Sequence, residues 1–123
     1  MHRHAVFSSL ARSTALAATR ESSNDQRLAW VGVYPLDLSK PMTQEFLRNN
    51  GVDVFPSTGR AYRIRTFEVQ RQLIEADVSI GESQLENSTS KVVFSDDELL
   101  RVLQTLGVAI ESLELPSKTD YPI

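Results

Sequence analysis

The chain has 123 residues, 41% hydrophobic and 24% charged, with a formal net charge of -3, the composition of one globular domain able to bury about two thirds of its unfolded surface. It has no cysteine, which excludes disulfides, thiolate zinc sites, iron–sulfur clusters and cysteine nucleophiles and fits a reducing compartment. No apolar run approaches the ~20 residues of a membrane-spanning helix, so no membrane partner is expected.

The N-terminal stretch "MHRHAVFSSLARSTALAATR" carries Arg3, Arg12 and Arg20 and no acid. Phe7, Leu10, Ala11 and Ala18, with Thr14, fall near one helix face opposite Arg12 and His4. That composition suits a short surface helix or an unstructured leader, and it is also the composition of an organelle transit peptide. The polar "ESSNDQ" reads as a linker. The expected division is therefore a basic segment over residues 1–26 and a single α+β domain over residues 27–123.

In the domain, "LAWVGVYPL" is apolar, β-branched and aromatic, the pattern of a central strand ending at Pro35. "DLSKPMTQEFLRNNGV" predicts a helix from about Lys40 to Asn49, with Ser39 or Asp37 as the cap, Pro41 in the first turn, Phe46 and Leu47 inward and Gly51 as the stop. "VDVF" alternates, and after the turn "PSTG" the strand "RAYRIRTFEV" puts Tyr62 and Ile64 on one side and Arg63 and Arg65 on the other. From Thr66 to Leu73 helical and strand patterns overlap. The period-two run Ile74, Ala76, Val78 and Ile80 favours a strand up to Gly81. "ESQLENSTS" reads as a loop and "KVVF" as a short strand.

"VFSDDELLRVLQTLGV" places Asp96, Asp97 and Glu98 in a row, and their spacing spells a helix start. Ser95 and Glu98 stand as a capping box, Phe94 and Leu99 as a hydrophobic staple, and the two aspartates where negative charge complements the macrodipole. Leu99, Leu100, Val102, Leu103 and Leu106 form the buried stripe, Asp97 precedes Arg101 by one turn, and Gly107 ends the helix. The tail "VAIESLELPSKTDYPI" ends apolar, as an end that packs back on the domain or docks on another chain. The expected fold is α+β: an antiparallel sheet of about four to five strands carrying two helices, preceded by an N-terminal amphipathic helix or leader.

Chemistry is sparse. The only histidines are His2 and His4, so no base is at hand for a Ser-His-Asp arrangement. The five glycines stand singly, without a phosphate-cradling loop. No catalytic residue, metal site or cofactor is expected, and no motif ties the chain to a family. Arg60, Arg63, Arg65 and Arg71 form a candidate anion-binding strand, with pairing to Glu75 and Asp77 as its structural alternative. Residues 66–123 hold eleven acids and four bases, which repels nucleic acid and attracts a basic protein. The expected partner surface is Glu75, Asp77, Glu82 and Glu86 with Tyr62 and Tyr121 as aromatic anchors. The physical type that fits is a cytoplasmic immunity protein or antitoxin covering a basic toxin. The alternatives are an accessory subunit imported into a mitochondrion or plastid, and an enzyme built on carboxylates and arginines.

Overall fold

In the computed structural model, which describes residues 1–123, four antiparallel strands run as a meander in the order β1-β2-β3-β4. They are β1 (Leu16–Arg20), β2 (Arg27–Asp37), β3 (Arg60–Gln70) and β4 (Glu86–Val93). Helices α1 (Arg3–Ala11), α2 (Pro41–Asn49), α3 (Arg71–Glu75) and α4 (Asp96–Thr105) join or flank them, and single 3-10 turns occupy 82–84, 110–112 and 116–118. The fold class is α+β in a single small domain. No helix is long and apolar enough to cross a membrane.

The strand period of two gives the sheet two apolar faces. Val31 and Val33 of β2 and Tyr62 and Ile64 of β3 point into the main core, where Val6 and Leu10 of α1, Leu99 and Leu103 of α4, Ile110 and Leu113 cover them. The opposite face carries two smaller clusters. Trp30, Phe67 and Val69 lie under the α3 region and the tail, while Leu38 and Ala61 pack with Leu47 of α2 and the loop after that helix.

The boundary expected at residues 26 and 27 is not a boundary in the fold. β1 pairs with β2 from Leu16↔Val33 to Arg20↔Ala29, and Val6, Leu10, Leu16 and Ala18 are buried in the main core. "ESSNDQ" is the loop of this hairpin. Nor is there one amphipathic face running to Ala18, because α1 ends at Ala11 and Ala18 belongs to a strand. The outer edge of β1 is itself covered, since the Ala17 N–H donates to Glu114 O at 2.8 Å and Glu114 N–H to Ala17 O at 2.9 Å.

Strand assignment followed partner availability where local alternation misled. Val52–Phe55 forms no strand: β3, which follows it, already has β2 on one side and β4 on the other and offers it no edge, and Val54 is 91% exposed. The strand expected over Ile74–Ile80 is also absent. β3 stops at Gln70, opposite Arg27 where β2 begins, and beyond it the chain folds into α3 and a turn at Asp77 (φ 55°). Leu73, Ile74 and Ile80 pack on Trp30 and Phe67 as an irregular cover. Conversely β4 begins at Glu86, well before "KVVF", because the edge of β3 recruits the polar, exposed Asn87–Ser90 stretch, whose Asn87, Thr89 and Ser90 side chains bond Glu68, Thr66 and Arg63 of β3. β2 runs two residues past Pro35, beyond the last β1 pair at Val33, where a proline interrupts no β1 ladder.

α2 and α4 match their sequence signals in extent, but α2 lacks the expected Ser39 or Asp37 cap: Lys40 stands at that position without a capping bond, and Asp37 accepts from Ser39 instead. Pro41 opens α2, and Gly51 and Gly107, at φ of 83° and 74°, follow the two helix ends. Ser95 Oγ accepts from the Glu98 amide at 3.1 Å, so the cap is made. The return bond differs from the expected box, since the Ser95 hydroxyl donates to Glu98 Oε1 at 3.4 Å. Phe94 packs by the Leu38–Leu47 cluster while Leu99 enters the main core, in place of the expected staple. Asp97 and Arg101 form no ion pair; the three in the molecule are Arg3–Glu111, Arg27–Glu86 and Arg65–Glu82.

Candidate binding site

Alternation along β3 sends Arg63, Arg65 and Phe67 to the face opposite the main core. Their register partners on β2 are Tyr34, Gly32 and Trp30. Gly32 leaves a gap in this surface, and Tyr121 of the tail fills it. The Tyr121 hydroxyl bonds that of Tyr34, its ring lies 5.3 Å from that of Phe67, and Trp30 Nε1–H donates to Thr119 O at 2.8 Å. The tail therefore packs back on the domain. Burial pushes the Tyr121 hydroxyl pKa up, the bond to Tyr34 adds to this, and the Arg65 and Arg63 charges oppose it.

The four arginines do not form one patch. Arg65 is ion-paired with Glu82 and sits over the Phe67 ring; that carboxylate bond holds its guanidinium charged even more firmly than usual. Arg63 donates from Nε to Ser90 Oγ at 3.0 Å and lies 5.2 Å above the Phe46 ring. Arg60 reaches back to Ala11 O at 2.8 Å, and Arg71 donates from Nε to Asp25 O at 2.9 Å. Neither the converging anion site nor the expected pairing with Glu75 and Asp77 is present.

The expected partner surface also divides. Tyr62 lies in the main core at 5% exposure and donates its hydroxyl to Asp96 Oδ1 at 2.6 Å. It ties β3 to the start of α4 and is unavailable as a surface anchor; burial, then Asp96, pushes its pKa up. Glu86 accepts from Arg27 Nε and from Gln70 Nε2, the latter at 3.1 Å, and Arg27 first, then Gln70, hold its carboxyl below the usual range. Glu82 is engaged by Arg65. Glu75 and Asp77 make no ion pair and are exposed.

Two residues of that surface do come together. Asp77 and Tyr121 line one groove of about 610 Å³, with Val78 and Ile80 on one wall and Asp120 and Pro122 on the other. Asp77 and Asp120 both sit in left-handed turns at φ 55°, a conformation that aspartate tolerates better than most residues. Both carboxylates are exposed and without an ion pair. Val78, 45% exposed, adds apolar surface at the rim. Asp120 was missed in the sequence because its neighbours in "KTDYPI" say nothing of Asp77; the one signal was a carboxylate next to an aromatic in a proline-bracketed turn. Gly32 and Tyr34 were missed as well, since only the tertiary path of the tail gives them a role. No family model, curated protein or solved structure matches the chain.

Proposed function

We propose that the chain is a small, non-catalytic, acidic protein-binding module, of the kind that an immunity protein or antitoxin is, whose groove between the α3–β4 connection and the tail receives cationic side chains of a basic partner. The observation that carries this reading is the meeting of Asp77 and Asp120, far apart in sequence, as unpaired carboxylates in one groove beside Tyr121 and Val78. Carboxylates at the rim steer a basic partner in and speed encounter, while the apolar wall supplies contact area that a cation's aliphatic stem covers. Glu75 on α3 extends the acidic surface, whereas Glu82 and Glu86 are occupied in holding the fold. Both histidines lie exposed at the start of α1, away from the groove, in keeping with binding rather than acid–base catalysis. On this reading the protein works in the cytoplasm, which suits a cysteine-free chain.

The test is affinity capture from the source cells at low salt, with wild type and an Asp77→Asn/Asp120→Asn variant, whose new residues tolerate the same left-handed turns, run side by side. Wild type should retain a basic protein that elutes as salt rises, and the variant should lose it while melting like wild type. Equal retention by the variant, or a captured partner indifferent to salt, would contradict the proposal.

A further inference from the structure

A second cavity, of about 640 Å³, lies on the main-core face of the sheet, remote from the acidic groove. Its floor is one row of the sheet: Arg20 on β1, Ala29 on β2 and Glu68 on β3 are successive register partners. Parity puts all three on the same face as Ala18, Val31 and Ile64. The middle residue is small, so nothing projects between the cation and the carboxylate, whose backbones are two strand spacings, roughly 10 Å, apart. Ser22 and Ser23 of the hairpin loop wall one side and Leu106 and Gly107, after α4, the other.

The two charged ends are in opposite states. Glu68 is 8% exposed and held in place: its carboxylate accepts from the Ser23 amide, from Ser23 Oγ at 3.0 Å and from Asn87 Nδ2. Burial alone would push its pKa up, but those bonds outweigh it and keep the group ionised. Arg20 has neither an ion pair nor a side-chain hydrogen bond, and its Nε is the one buried side-chain polar atom in the molecule without a partner. A buried donor left unmade is costly, and a guanidinium edge matches a carboxylate in two parallel bonds. The row thus offers a cation with no ion pair and one unpartnered buried N–H, a clear floor and a fixed anion, in a cavity of the size that small ligands occupy.

We infer that this cavity binds a small zwitterion, an α-amino acid or a similar amino-carboxylate, with its carboxylate on Arg20 and its ammonium group on Glu68. Glu21 at the mouth adds a second negative charge, which favours a zwitterion over a dianion such as phosphate. The ligand would also close the gap between β1 and β3 across Ala29 and stiffen the hairpin loop.

The experiment is a thermal-shift and NMR titration of the full chain with each of the common α-amino acids, and with acetate, methylammonium and inorganic phosphate as separate probes. At least one amino acid should raise the melting temperature and shift the Arg20 Nε–H resonance, while acetate or methylammonium alone binds about tenfold more weakly or worse. Arg20→Gln should abolish the effect. Arg20→Lys, which keeps the charge and loses the paired donors, should weaken it by about tenfold. The inference is overturned if no amino acid binds at about 10 mM, a weak-binding ceiling, if binding survives Arg20→Gln, or if phosphate or acetate alone binds as tightly as the best amino acid.

Discussion

Gly32 is the residue on which the docking of the C-terminal tail depends. A Cβ there would collide with the Tyr121 hydroxyl oxygen and press on Cζ of the same ring, at 2.9 Å, and on Tyr34 Cε2 at 3.0 Å. Gly32→Ala should therefore unseat Tyr121, free the Thr119 carbonyl from Trp30 and cost about 1–3 kcal/mol. Urea melts would measure the loss, and carboxypeptidase should trim the variant's tail faster than that of wild type; an unchanged trimming rate would show that Tyr121 is not wedged over Gly32. Glu86 offers a second test at this scale. Its folded pKa is depressed, so its contribution is present above its unfolded value and disappears as pH falls through the folded one. The gap in urea midpoint between wild type and Glu86→Gln should be widest near neutrality and close below about pH 4. A gap independent of pH would mean that the Arg27 pair adds nothing to folding.

Among the elements, α4 combines a local signal with a buried stripe, and the two can be separated. Ser95→Ala removes the acceptor for the Glu98 amide and should cost about 1 kcal/mol. Leu103→Ala opens a hole among Leu99, Ile64 and Val33 in the core and should cost about 2–5 kcal/mol. Equal, negligible losses in denaturant melts would contradict both statements. α2 and α4 were legible in the sequence because a helix makes its hydrogen bonds within itself and marks its ends with caps, prolines and glycines. β2 and β3 were legible because buried strands are dense in valine, isoleucine and aromatics. The 52–55 and 74–80 segments misled for the converse reason: alternation shows that a segment has an apolar side, but a strand also needs a neighbour with a free edge. β4 shows the same rule from the other side, since a Ser/Thr-rich stretch became a strand once β3 offered an edge.

For the molecule as a whole, the N-terminal basic segment is structural. Removing residues 1–20 would delete α1 and β1, expose the edge of β2 and take Val6, Leu10, Leu16 and Ala18 out of the main core. The truncated chain should show no cooperative unfolding transition by circular dichroism; a cooperative melt would restore the reading of this segment as a removable leader. Its composition misled because a small, basic, acid-free stretch looks alike in a leader and in a helix–strand pair, half of whose apolar residues are alanine. The acid excess of the C-terminal half was legible as a count. Its arrangement was not, because Glu82 and Glu86 are drawn into pairs with Arg65 and Arg27 while Asp77 gains Asp120 as a neighbour only when the tail returns to the sheet.

The acidic groove can be tested directly by ¹⁵N–¹H NMR titration of the full chain with a short arginine-rich peptide. Amide shifts should concentrate in Ile74–Ile80 and Ser117–Tyr121, fade as salt rises and vanish in Asp77→Asn/Asp120→Asn. Shifts centred on Asp96–Glu98 at the start of α4, or unaffected by the double substitution, would contradict the groove as the binding surface.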